Sequence, residues 1–356
     1  LTTLPLRSGG SDDIVWCRND GVLYGVLELS EADFLPMPGC SSLQAASAEA
    51  YRRIFRLLDA QAMPHLWRVW NYLADINLET EGLERYRQFN IGRQDAFVAC
   101  RRGATGNVPA ACAIGLVGGT LNIAFMAGTT PAVPVENPRQ VSAYNYPADY
   151  GPRSPTFSRA ALVYPEGQEI LFISGTASIV GHQTVHPGDV VGQCRESMAN
   201  IAAVLAEANR LRRSPAFMLS ELCYRVYVRH AGDFDKVRAA LRTLIGAAEV
   251  VYVQADICRH DLLLEIEAFD EDTVNELRNR AKDALLTMDL VREEDAEQVS
   301  QDLRALEGLT EEMIVKLEAA GIHQRDDLAD LATDELSEIT GQSPEEATAL
   351  IMLARA

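Results

Sequence analysis

Residues 159–180, RAALVYPEGQEILFISGTASIV, decide how the rest of the chain is read. RAALVYP and QEILFISGTASIV are apolar runs on either side of Pro165-Glu166-Gly167, which predicts two strands joined by a turn. Toward the C-terminus, Val191 to Leu211 carries Met198, Ile201, Val204, Leu205 and Ala208 on one stripe, the pattern of a long amphipathic helix. ELCYRVYVRH at 221–230 reads as a strand from its β-branched and aromatic content. FDKVRAALRTLIG at 234–246 is a second helix, ended by Gly246. EVVYVQADI at 249–257 and DLLLEIEA at 261–268 are two closing strands. The order β-β-α-β-α-β-β predicts helices covering one sheet face.

Toward the N-terminus, residues 1–150 mix strands such as IVWCR and GVLYGVLEL with one strong helix. That helix is expected from about Ala46 to Leu73, on apolar residues at 51, 54, 57, 58 and 62. Trp67 and Trp70 would be its core anchors. Gly-rich turns separate the apolar runs DAFVACRR, PAACAIGLV and LNIAFMAG.

The 356 residues are 47% hydrophobic, enough for a sizeable core, and no run of ~18 apolar residues is long enough to span a membrane. The opening LTTLPLRSGGSDD lacks the apolar region of a signal peptide. Seven dispersed cysteines without a CxxC pair read as reduced thiols, so a cytoplasmic location is expected.

The net charge of −19 is uneven. Residues 266–356 hold 24 Asp and Glu against 8 Lys and Arg, while residues 1–265 hold 27 against 24. The last aromatic residue is Phe269. Two kinds of polypeptide therefore join near residue 266. The acidic part reads as helices, DEDTVNELRNRAKDALL, TEEMIVKLEAAGI and SPEEATALIMLARA, with Thr310 and Ser343 as N-cap candidates and Pro344 at the first helical position. Their short leads LEIEAF, RALEGL and SEITGQ suggest an internal repeat. The acidic balance argues against nonspecific nucleic-acid binding.

The β-β-α-β-α-β-β part resembles the RidA/YjgF fold in GQCRESMANIAAVLAEA, VYVRHAGDFDKV and the closing LLLEIEA at 262–268. RYRQFNIGR at 85–93, YNYPADYGPRSPTFSRA at 144–160 and SGTASIVGHQTVHPGD at 174–189 extend the likeness to the chorismatases. That resemblance implies an α/β (α+β) fold of two RidA/YjgF-like, chorismate mutase-like halves: a divergent domain at 1–150 and a catalytic domain at 151–266, followed by an all-α acidic module at 267–356. It implies a cofactor-independent, metal-free enzyme that removes pyruvate from chorismate.

In that family a buried glutamate on the last strand protonates the enolpyruvyl methylene, and Glu265 holds the matching position. Its neighbours Leu262, Leu263 and Leu264 could keep it dry and neutral. Without the resemblance, Glu265 reads more readily as a glutamate satisfied by backbone amides at a strand end. Cys258, seven residues earlier, matches the 3-hydroxybenzoate-forming type, whereas Ala177 in GTAS looks more like the hydrolytic type that leaves a dihydroxycyclohexadiene acid. 3-Hydroxybenzoate is the favoured product and 4-hydroxybenzoate an alternative.

Chorismate is a dianion, so cations and donors are needed. Arg159 is the first candidate for a bidentate carboxylate clamp, and Tyr150 and Arg153 come second. Tyr224 and Arg225 alternate on a strand, so one of them can face the pocket, and Arg93 has either a binding or a packing role. Related RidA proteins are trimers, but a doubled chain could close its own site as a monomer.

The segment 262–356 resembles the C-terminal acidic repeats of the transcription factor NusA, helix-hairpin-helix-like modules, which implies a protein partner in the transcription machinery and no direct nucleic acid. LLLEIEA belongs to both resemblances, as strand in one and hairpin lead in the other, so a fusion joined inside it is expected. Two rival functions remain. One is a RidA-like imine deaminase, although GAAEVVYVQ lacks the arginine that family uses before its cysteine-bearing hairpin. The other is a transcription-associated binding scaffold. His182 and His186 sit among Gly181, Pro187 and Gly188, which disfavours a helical metal pair. GLVGGT lacks both GxGxxG spacing and a P-loop lysine.

Overall fold

The structure is a computed structural model. It describes residues 7–165, 167–270 and, within 306–355, all but 307, 311, 312, 315, 318, 319, 321, 323 and 324. The chain divides into two compact units, 1–275 and 276–356. No helix among the described residues is long and apolar enough to cross a membrane.

The first unit begins with β1 (Arg7–Ser11), β2 (Ile14–Arg18), β3 (Val22–Leu29), α1 (Ser42–Ala60) and β4 (His65–Ala74). A short hairpin, β5 (Glu79–Thr80) and β6 (Leu83–Glu84), leads into α2 (Arg85–Ala99), β7 (Ala110–Leu116), β8 (Leu121–Gly128) and β9 (Val133–Val135). Then come β10 (Ala160–Val163), β11 (Ile170–Thr176), the small pair β12 (Ile179–Val180) and β13 (Gln183–Thr184), and α3 (Val190–Leu211). The unit closes with β14 (Leu222–Val228), α4 (Phe234–Ile245), β15 (Val250–Gln254), β16 (Asp256–Ile257) and β17 (Leu264–Asp270).

These form a seven-stranded sheet, β1-β2-β3-β8-β4-β7-β16, and a six-stranded sheet, β15-β14-β17-β11-β10-β9. The two halves exchange strands: β9 joins the second sheet, and β16 pairs with β7 of the first through Asp256↔Gly115 and Ile257↔Ile114. Helices α1 and α2 pack with the first sheet around Tyr51, Ile54, Phe89 and Phe125. Helices α3 and α4 pack with the second around Met198, Val204, Leu241 and Ile266. A third core, with Trp67, Trp70, Phe172 and Tyr227, fills the space between the sheets. The fold is mixed α/β.

The order expected from residue 159 onward is present, and β10 and β11 pair antiparallel through Val163↔Ile170. The last closing segment is strand, not helix: β17 lies between β14 and β11, with Tyr227↔Glu265 and Ile173↔Ala268 in register. The long helix expected to Leu73 is corrected. It ends at Ala60, and Ala62 takes a left-handed φ of 53°. Pro64 has no N–H and disfavours helix in the residue before it. HLWRVWNYLA then runs as β4, so Trp67 and Trp70 are core residues of a strand. Of the apolar runs between the Gly-rich turns, DAFVA is the last part of α2. Gly92 lets α2 lie against α1, because a Cβ there would stand 2.2 Å from the Gln44 carbonyl oxygen.

The described part of the second unit is helical: α5 (Arg325–Asp330), α6 (Thr333–Thr340) and α7 (Pro344–Arg355), around Leu317, Leu328, Leu336 and Leu350. Ser343 caps α7, accepting from the Glu346 N–H at 3.4 Å while its own N–H donates to the Glu346 carboxylate at 3.1 Å. The expected helix DEDTVNELRNRAKDALL lies, after Asp270, outside the described residues.

Candidate active site

A cavity of about 480 Å³ opens in the first unit, within the range of small-molecule sites. It draws residues from both sheets: Cys112 of β7, Gly175 at the end of β11, Arg159 just before β10, and Glu265 of β17. Arg93 of α2, Ala177, Tyr146, Tyr150, Cys258 and Arg259 complete its wall.

Glu265 points inward from a central strand and is 3% exposed. Burial, reinforced by the nearby Glu267 carboxylate, pushes its carboxyl up to about 8, against the opposing pull of Arg68 and Arg159. It is therefore a carboxylic acid, with a proton to give, at neutral pH. Cys258 Sγ lies 3.8 Å from Oε2, and Oε1 has no partner among the described residues. Burial and the same carboxyl push the Cys258 thiol up, so this sulfur is a thiol and not a nucleophilic thiolate.

Space for that carboxyl depends on Gly175. A Cβ at this position would stand 1.9 Å from Glu265 Oε1 and 3.0 Å from the Cys112 Cβ. Gly175→Ala is expected to displace the carboxyl and lower kcat/KM roughly ten- to a hundredfold, because small misplacements of a reacting group are costly. Steady-state kinetics beside an unchanged circular dichroism spectrum would check it.

Three guanidinium groups face the same space. Arg159, 5% exposed, donates from Nη2 to the Val141 carbonyl at 2.9 Å and the Tyr146 hydroxyl at 2.8 Å. Its plane lies over Phe157, 5.2 Å from the ring centre. Arg93 donates to Asn90 Oδ1 at 2.7 Å and lies 5.0 Å over Phe89. Arg259 donates to the His182 carbonyl at 2.9 Å and lies 4.2 Å over Tyr150. Arg159 Nε, Arg93 Nε and Arg259 Nη2 are buried and have no partner among the described residues. Buried donors left open on cations, around one cavity, are suited to an anion.

The fold thus brings Glu265, Cys258, Arg159, Tyr150, Ala177 and Arg93 to one cavity. It does not bring Arg153, Tyr224 or Arg225 there. Arg153 faces outward beside Asp95, 3.6 Å away. Tyr224 turns under the helices, and its hydroxyl donates to the Leu219 carbonyl at 2.6 Å. Arg225 lies on the face between the sheets but reaches Glu267 at 3.3 Å. His182 Nδ1 meets the Tyr150 hydroxyl at 3.1 Å. Two further cavity residues, Arg259 and Gly175, do not stand out from the sequence. Arg259 directly follows Cys258 and was legible as a neighbouring cation, whereas the role of Gly175 depends on a contact between strands.

Comparison with known proteins points one way. The family described as "Chorismatase FkbO/Hyg5-like, N-terminal" matches residues 1–127. A chorismatase of Streptomyces rapamycinicus is 40% identical over 274 residues, covering 74% of this chain and 78% of its own length. A 3-hydroxybenzoate synthase of Streptomyces hygroscopicus is 39% identical over 241 residues, covering 65% of this chain and 71% of its own. A chorismatase crystal structure is similar with a TM-score of 0.68 at 36% identity, over 74% of this chain and 78% of that one.

Proposed function

The chain belongs to the chorismatase family, and from that premise we propose that it removes pyruvate from chorismate and releases the ring as 3-hydroxybenzoate. It is an enzyme that acts on chorismate. One observation supports the chemistry most directly: Glu265 Oε1 and one nitrogen each of Arg159, Arg93 and Arg259 are buried around a single cavity with no partner among the described residues. A dianion with two carboxylates and an enol ether meets all of these demands.

Glu265 gives its proton to the methylene carbon of the enolpyruvyl group. The positive charge appears at the adjacent ether carbon, and the bond from ring carbon to ether oxygen breaks. Pyruvate leaves with that oxygen as its ketone. The neighbouring ring hydroxyl bonds to the carbon that pyruvate has left and gives up its proton, which restores the acid. The epoxide so formed opens at its original carbon–oxygen bond, and the hydrogen on the carbon that now bears oxygen passes to that oxygen as the ring aromatises, so no water is consumed. A bound dianion raises the carboxyl further and so favours the protonated acid in the complex. The arginine forks orient the substrate and supply no proton.

The product is supported by Cys258, at van der Waals range of the acid, and by the 3-hydroxybenzoate synthase relative. Ala177 on the cavity wall is the feature that favours the hydrolytic alternative. Incubation with chorismate, coupled pyruvate detection and chromatography of the ring product tests both parts. Stoichiometric pyruvate with 3-hydroxybenzoate is expected. A dihydroxycyclohexadiene acid would overturn the product, and no pyruvate above background would overturn the activity.

A further inference from the structure

Glu265 has a second carboxylate beside it that the reaction does not touch. Glu267 is two residues further along β17, on the same face, and fully buried. Arg68 of β4 pairs with its Oε2; the Tyr227 hydroxyl donates to Oε1 at 2.9 Å, and Arg225 reaches Oε1 at 3.3 Å. Arg68 is also fully buried, 5.0 Å over the Trp70 ring and 5.7 Å over Phe269. Its Nε and Nη1 have no partner among the described residues. Burying such a pair is costly, and well-packed apolar residues would hold the sheets together at least as well. Packing therefore does not account for an ion pair between the sheets, one pleat from the acid.

We propose that Glu267, clamped by Arg68, is a positioning residue for the reaction: its fixed negative charge holds the proton on Glu265 until the substrate methylene is in place. This rests on Glu265 being the proton donor. Among the described residues, the charged and titratable groups that act on Glu265 are Glu267 from its own strand, Arg68 from β4, Cys112 from β7, Arg159 ahead of β10, Cys258 after β16 and Tyr86 from α2, with Arg93 of α2 and Arg259 after β16 lining the same cavity. Glu267 is the anion in this set. After burial it is the largest influence holding the Glu265 carboxyl up, ahead of the opposing Arg68.

The test is the pH profile of pyruvate release by the full chain. Glu267→Gln is expected to move the alkaline limb down by about one pH unit, since a like charge is lost and Arg68 is left unopposed. Arg225→Met, at a half-exposed position, removes a cation that partly neutralises Glu267 and is expected to move the limb up. A role confined to packing lowers the rate at every pH and leaves the limb in place. An unmoved limb in both variants overturns the proposal. If Glu267→Gln does not fold, the Arg225→Met limb decides alone. Failure of the underlying acid assignment has a separate signature: Glu265→Gln would then retain the wild-type rate.

Discussion

Glu265→Gln is expected to lower kcat/KM for pyruvate release by about 10²–10⁴-fold, the range for loss of a positioned general acid. The amide fills the same volume beside Gly175 and Cys258, so the cavity keeps its shape, but it has no proton acidic enough to transfer to carbon. Substrate binding should survive, because the cavity's arginines, which we propose meet the carboxylates, are untouched. Single-turnover kinetics with chorismate, alongside titration of binding by fluorescence or calorimetry, separates the two effects. Near-wild-type turnover would assign the proton to another group.

The same group sets the pH dependence. An acid must be protonated to act, and Glu265 is pushed up to about 8 by burial and Glu267. Wild-type activity is expected to hold below that value and to fall as pH rises through it. Stability runs in the same direction. The folded protein keeps a proton that the unfolded chain loses near the ordinary value of 4.5. This contribution is therefore full below about 4.5 and is lost as pH rises to about 8. Glu265→Gln lacks that dependence, so its thermal stability relative to wild type should improve steadily across the window. Loss of activity with a gain in stability is the signature of a residue retained for chemistry.

Arg159→Gln is the second large effect. Arg159 is buried, stacked on Phe157 and fixed by Val141 and Tyr146, and its Nε has no partner among the described residues. A preorganised fork of this kind binds a carboxylate without paying for its own ordering. Removing one partner of a buried charge pair costs about 2–5 kcal/mol, roughly 30- to several-thousand-fold in kcat/KM. The loss should fall mainly on KM, because the carboxylate is bound alike in the ground and transition states. Arg159 also pulls the Glu265 carboxyl down. Its removal should therefore shift the alkaline limb upward, opposite to Glu267→Gln. A variant with unchanged KM would place the carboxylate on Arg93 or Arg259 instead.

Much of this site was legible in the chain itself, because local composition writes local structure. Apolar runs on either side of the Pro165-Glu166-Gly167 turn marked β10 and β11, β-branched and aromatic content marked β14, and one apolar stripe marked α3. Arg159 and the Cys258–Glu265 pair stood out by their segments. The period of apolar residues did not mark where α1 stops; Pro64 did, through its missing N–H. LLLEIEA suits a strand or a hairpin lead equally well, and pairing with β14 and β11 decided it.

From the residues alone follow the order of elements in the second half and a short set of candidate acids and cations. Tertiary structure alone decided which of them meet. Register turned Tyr224 under the helices and Arg225 toward Glu267, since side chains alternate across a pleated strand. The approach of β11 to β17 made Gly175 necessary, and the packing of two sheets placed Arg68 against Glu267 across 199 positions of chain. Burial and Coulombic fields depend on distance in space, and along a folded chain that distance bears little relation to position in sequence.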